Sequence, residues 1–131
     1  MTRRSRAREV ALQVLFQDDL NSGVSPGDTD AFLVGRLKSD ELAEFGRSLV
    51  AGVRRNRAEL DAQLAAIAEN WGLERMAATD RNILRLGAFE ILHGETPRRV
   101  AINEAVELAK RFGNANSSQF VNGILDKLVK E

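Results

Sequence analysis

Apolar residues recur at spacings of three and four along almost the whole chain, and no strand-like alternation competes with them. That single period restricts the fold to helices packed on helices. Val10, Ala11, Val14 and Leu15 form a stripe on a first helix, from about Arg4 to Leu20, stopped by Asn21-Ser22-Gly23. Ser25-Pro26-Gly27-Asp28 reads as a turn, followed by a short helix carrying Phe32, Leu33 and Leu37. Ser39 or Asp40 can cap a third helix with Leu42, Phe45, Leu49 and Val53 on one side. Leu60, Leu64, Ile67 and Trp71 predict a fourth, which Gly72 can end in the left-handed conformation.

Thr79 is a suitable N-cap for a fifth helix, about Asp80 to His93, stopped by Gly94. Ile83, Leu84, Leu86, Ala88, Phe89, Ile91 and Leu92 leave it little polar surface, so it is expected at the centre of the core. Thr96-Pro97 breaks the chain. Val100, Ala101, Ala105, Leu108, Ala109 and Phe112 mark a sixth helix closed by Gly113. Asn116-Ser117-Ser118-Gln119 has the form of a capping box, opening a seventh helix with Val121, Ile124, Leu125 and Leu128. Gly46, Gly52, Gly87 and Gly123 interrupt helical patterns at about 1 kcal/mol each relative to Ala, and close helix–helix approach is the expected compensation. The expectation is an all-α chain of about seven helices forming a single domain over residues 1–131.

The 131 residues suffice for one such domain, and their 44% hydrophobic and 29% charged content argues against disorder. No apolar run is long enough for a transmembrane helix, and the basic N-terminus lacks the apolar stretch of a signal peptide. The absence of cysteine excludes disulfides and thiolate metal sites and agrees with a cytoplasmic location. Net charge is zero, yet the charges are segregated. Arg3, Arg4, Arg6 and Arg8 all precede the first acid, Glu9, whereas Asp18 to Glu44 holds seven acids against Arg36 and Lys38. Such segregation gives a neutral chain a local positive field.

Catalytic patterns are missing. The one histidine, His93, stands at a helix end, where it reads as a partner of the helix dipole. Without a second histidine or a cysteine, zinc sites and histidine-based triads are excluded, and the scattered glycines form no phosphate loop. Glu104 and Glu107, beside Lys110 and Arg111, read as surface ion pairs. Two candidates for ligand binding remain. Arg3, Arg4, Arg6 and Arg8 offer planar donor forks to phosphates. The segment Asn114 to Phe120 places amides and hydroxyls at a helix start, with Asn116 and Gln119 able to hydrogen-bond bases and Phe120 to stack on one. Both have plainer readings: a solvated terminus, a capping Asn116 and a core Phe120.

Three segments together resemble the NusB family. Arg3 to Gln17 (RRSRAREVALQVLFQ) is similar to its arginine-rich first helix, and Asp80 to Glu90 (DRNILRLGAFE) to its central helix. The most specific stretch is Val100 to Lys110 (VAINEAVELAK), continued by Arg111-Phe112-Gly113 and by Phe120 to Asp126 (FVNGILD). The resemblance implies two small helical bundles packed as one NusB-like domain. It implies binding of the boxA element of nascent ribosomal RNA jointly with NusE, a small-subunit ribosomal protein, within an RNA polymerase antitermination complex. No cofactor, turnover or membrane is implied. RNA contacts would fall on Arg3, Arg4, Arg6, Arg8, Asn116, Ser117, Gln119 and Phe120, and the NusE face near Glu74, Arg75 and Asp80. The chain departs from the family pattern at Phe89, where a tyrosine is frequent, and in its uncharged 113–119 loop.

Two alternatives stay open: the NusB-like domain of an RNA cytosine methyltransferase, which needs a downstream cofactor-binding domain, and a helical scaffold whose arginines are merely solvated. A homodimer that covers the arginine-rich helix is also compatible with the sequence.

Overall fold

The computed structural model describes residues 3–21, 26–69 and 71–128. Among them there are six α-helices and one 3₁₀ turn, and no strand. The helices are α1 (Arg3–Leu20), α2 (Pro26–Leu37), α3 (Asp40–Ala68), α4 (Ala78–Leu92), α5 (Arg98–Phe112) and α6 (Ser117–Leu125), with the 3₁₀ turn at Leu73–Arg75. The all-α expectation holds, and the count differs from seven for one reason. The third and fourth expected helices are the single 29-residue α3. The polar stretch Arg54 to Glu59 contains neither Gly nor Pro, so nothing in it stops a helix. None of the described helices is long and apolar enough to cross a membrane.

The chain divides into two compact units, Met1–Arg54 and Arg55–Glu131. In the first unit α1 buries Val10, Ala11, Val14 and Leu15, the expected stripe, and Ala7 with them. Helix α2 contributes Leu33 and Leu37, and the first part of α3 contributes Leu49, Val50 and Val53. Pro26 is the first residue of α2 and not part of a preceding turn. A proline there fixes φ in the helical range and lacks only an N–H that would go unsatisfied anyway. Lys38, at φ 52°, ends α2 in the left-handed conformation. Ser39 caps α3, its Oγ accepting from the Leu42 N–H at 3.3 Å. Ser22, Gly23 and Ser25, expected to stop α1 and start the turn, lie outside the described residues.

In the second unit α4 is the central element: Ile83, Leu84, Leu86, Ala88 and Ile91 are all buried. It packs on both α5 and α6. Gly87 permits this, because a Cβ there would sit 2.7 Å from Leu125 Cδ1 and 3.3 Å from Ala105 Cβ. Gly123 has no such role, since nothing lies within 4 Å of its Cβ position. Helix α4 also buries charge. Arg85, 4% exposed, donates through Nε and Nη2 to the Asp61 carboxylate at 2.7 and 3.0 Å. Glu90, 2% exposed, accepts from Thr96 Oγ1 at 2.8 Å, tying the α4–α5 loop to the helix.

Several expected termini are built differently. Gly72 has φ −61°, and the left-handed residue after α3 is Glu69, at φ 48°. The helix simply ends before the glycine is reached, and Trp71, expected on its apolar stripe, is outside it and 49% exposed. Ala77, not Thr79, is the N-cap of α4 and offers no side-chain bond. The start of α4 is held instead by Arg81, whose Nη1 donates back to the carbonyls of Leu73 and Met76. On α5, Val100 and Phe112 are 43% and 40% exposed, because Ala101, Ile102, Ala105, Leu108 and Ala109 fill the buried face.

Candidate nucleic-acid interface

Helix α1 distributes its four arginines over three environments. Arg3 and Arg4 are exposed, Arg6 is partly exposed and Arg8 is 4% exposed. Residues four apart share a helix face, and Arg4 and Arg8 do so against one ring. Their guanidinium carbons lie 4.4 and 5.1 Å from the centroid of Phe45 on α3. A cation over an aromatic face is attracted by the ring quadrupole, which favours these two side-chain positions. Arg6 sits 3.5 Å from the buried carboxylate of Glu9, one turn on, so its charge is partly offset. Arg3 donates to Ser39 Oγ at 3.3 Å, the same hydroxyl that caps α3. The exposed positive charge of the first turns is therefore concentrated on Arg3 and Arg4.

The sequence places Phe45 only on the apolar stripe of the third helix. It is half-buried, and its visible face is what the arginines cover. No local signal could have found this, since a phenylalanine on an apolar stripe looks the same whether its ring is enclosed or capped by cations.

The second candidate lies in the other unit, between α5 and α6. The predicted capping box does not form: Asn116 is the N-cap residue of α6 but makes no side-chain cap bond. Asn114 takes over the turn. Its Oδ1 accepts from the Asn116 N–H at 2.8 Å, and its own N–H donates to Ser117 Oγ at 2.9 Å. Gly113 is required for this, because a Cβ there would collide with the Ser117 side chain and lie 2.8 Å from the Ala109 carbonyl. Ser117 is thus buried with its hydroxyl engaged, whereas Asn116 and Gln119 are exposed and Phe120 is half-buried. The loop presents two amides to solvent and holds them on an ordered turn.

Of the residues expected at a partner surface, Glu74 and Arg75 are exposed on the 3₁₀ turn. Asp80 is not: it is 8% exposed in the first turn of α4, and its Oδ1 is buried without a hydrogen-bond partner. His93 is the C-cap residue of α4, with Nε2 2.9 Å from Glu59 Oε1. Lys110 and Glu107 form the surface pair expected of them, at 3.5 Å.

The fold and these two surfaces define an all-α protein with a basic, aromatic-backed first helix and an amide-bearing turn. The sequence profile of the NusB family matches residues 5–130, and the chain belongs to that family. It is 42% identical over 129 residues to the transcription antitermination protein NusB of Anaeromyxobacter dehalogenans, covering 98% of this chain and 91% of that protein. Among solved structures, NusB of T. maritima superimposes with a TM-score of 0.82 at 32% identity, covering 95% of this chain and 88% of that one. A chain from a complex of the antitermination factors NusB and NusE with double-stranded RNA superimposes with a TM-score of 0.84 at 27% identity, covering 96% and 95%.

Proposed function

We propose that this chain is a non-catalytic, cytoplasmic transcription antitermination factor that binds single-stranded boxA RNA of nascent ribosomal transcripts together with NusE. Its place would be in the RNA polymerase complex that reads through terminators. The observation that carries this reading is the arginine-rich start of α1, with Arg3 and Arg4 exposed and Arg4 and Arg8 over the ring of Phe45. Membership of the family and likeness to a chain from a complex of NusB and NusE with double-stranded RNA support an RNA-binding reading. The arginines supply Coulombic attraction, and Asn116, Gln119 and Phe120 supply hydrogen bonds and a stacking face. Ser117 acts through the shape of the turn. Glu74 and Arg75 are the accessible part of the proposed NusE face, and Asp80 acts from beneath it.

Titration of a boxA-like single strand at several salt concentrations tests the proposal. Two phosphates neutralised by Arg3 and Arg4 give a log–log slope of about −1.4, and each further phosphate contact steepens it by ~0.7. Replacing all four arginines is expected to weaken binding at least about tenfold and to flatten the salt slope. A flat salt response, or undiminished binding by that variant, rejects the proposal in favour of a helical scaffold.

A further inference from the structure

The first turn of α5 and the outer side of α6 border an open surface groove of about 310 Å³, lined by Arg98, Arg99, Ile102, Asn103, Asn122 and Asp126. This volume is at the small end of the range for ligand clefts. Arg98 is committed to the protein. Its guanidinium donates to the main-chain carbonyls of Asp126 and Leu128 and lies 3.8 Å from the Asp126 carboxylate, so the one acid in the groove faces a cation. Arg99 is different. It is exposed and makes no hydrogen bond or ion pair among the described residues.

Its position makes that notable. A cation in the first turn of a helix opposes the helix dipole, and α5 has no acid in that turn and no side-chain cap. Arg98 recovers this cost through the carbonyls it binds, whereas Arg99 recovers it only if an anion is present. Asn103 is one turn along α5 from Arg99, and Asn122 faces the same groove from α6. Both amides are exposed and carry a donor and an acceptor each. Asn122 also follows Gln119 by three residues, so one face of α6 leads from the amide-bearing turn into the groove.

We infer that this groove is a second RNA subsite, continuing the strand past the 116–120 turn, with Arg99 on a phosphate and Asn103 and Asn122 on base or ribose edges. The inference rests on the RNA-binding reading above. Fluorescence anisotropy with a labelled boxA-like single strand, full-length and shortened stepwise from each end, tests it. Arg99→Ala is expected to weaken binding of the full-length strand about tenfold and to flatten the salt slope by ~0.7. Asn122→Ala is expected to weaken binding roughly fivefold with the slope unchanged. Arg99→Lys is expected to keep the slope while losing part of the affinity, and shortening the strand from one end is expected to weaken the native protein but not Arg99→Ala. Native affinity and slope in Arg99→Ala overturn the inference while leaving RNA binding intact. So does a loss confined to ribosomal-protein binding, which makes the groove a protein contact. Absence of RNA binding by the native protein removes both readings together.

Discussion

The buried guanidinium of Arg85 shows what a bidentate carboxylate contributes at a single residue. Its two bonds to Asp61 and a third to Asn82 Oδ1 at 3.3 Å satisfy a cation that burial would otherwise make costly. Asp61→Ala is expected to destabilise the protein by about 3 kcal/mol, because it takes a bidentate carboxylate away from a buried cation. An Asp61→Leu, Arg85→Met double variant is expected to recover most of the loss, and urea denaturation of the three proteins checks both. If the single variant loses less than the double, the pair is not what holds α4 to the end of α3. Arg54 has a comparable bidentate pairing with Asp18 at 2.8 Å. The hydrogen bonds to Asp18 raise its pKa, against some desolvation. A raised folded value stabilises at every pH below the unfolded value and is lost only as pH rises through the folded one. For an arginine that window is far above neutrality, so this pair lends no pH dependence in the physiological range.

Among the elements, α3 departs most from what its sequence suggests. The apolar spacing pauses at Arg54 to Glu59, which looks like a junction between two helices, yet backbone hydrogen bonding continues through it. A pause in the pattern marks only where the helix has nothing apolar to bury; it does not break the ladder. Arg55→Pro separates the two views. The residue is exposed and makes no side-chain bond among those described, so its loss alone costs little. Proline inside a continuous helix is expected to cost about 3 kcal/mol or more, whereas at a loop it would be nearly neutral. Thermal unfolding followed by circular dichroism decides between them.

For the whole molecule, the proposed function makes the exposed cations of α1 the surface where RNA binding and self-association can be told apart. If a homodimer covers the arginine-rich helix, adding boxA-like RNA is expected to shift the measured mass from dimer to a monomer–RNA complex. The shift would weaken as salt rises. Light scattering with and without RNA checks this. A dimer that persists at saturating RNA would place the self-association surface elsewhere.

Helical period, burial and turn composition are local properties, and so the all-α class, the apolar stripe of α1 and the core role of α4 were legible in the sequence. The arginine cluster on α1 and the turn before α6 were legible as features of the chain, while their role in binding stays a proposal. What the sequence could not contain was competition between partners. Whether Ser117 or Asn116 organises a turn, and whether Phe45 is enclosed or covered by Arg4 and Arg8, depends on which atoms other elements bring within a few ångströms. The same holds for the fates of neighbouring Arg98, which binds backbone carbonyls, and Arg99, which is exposed and makes no bond among the described residues. A period of 3.6 residues is written in one segment, but a hydrogen bond across tens of residues is decided only when the helices have packed.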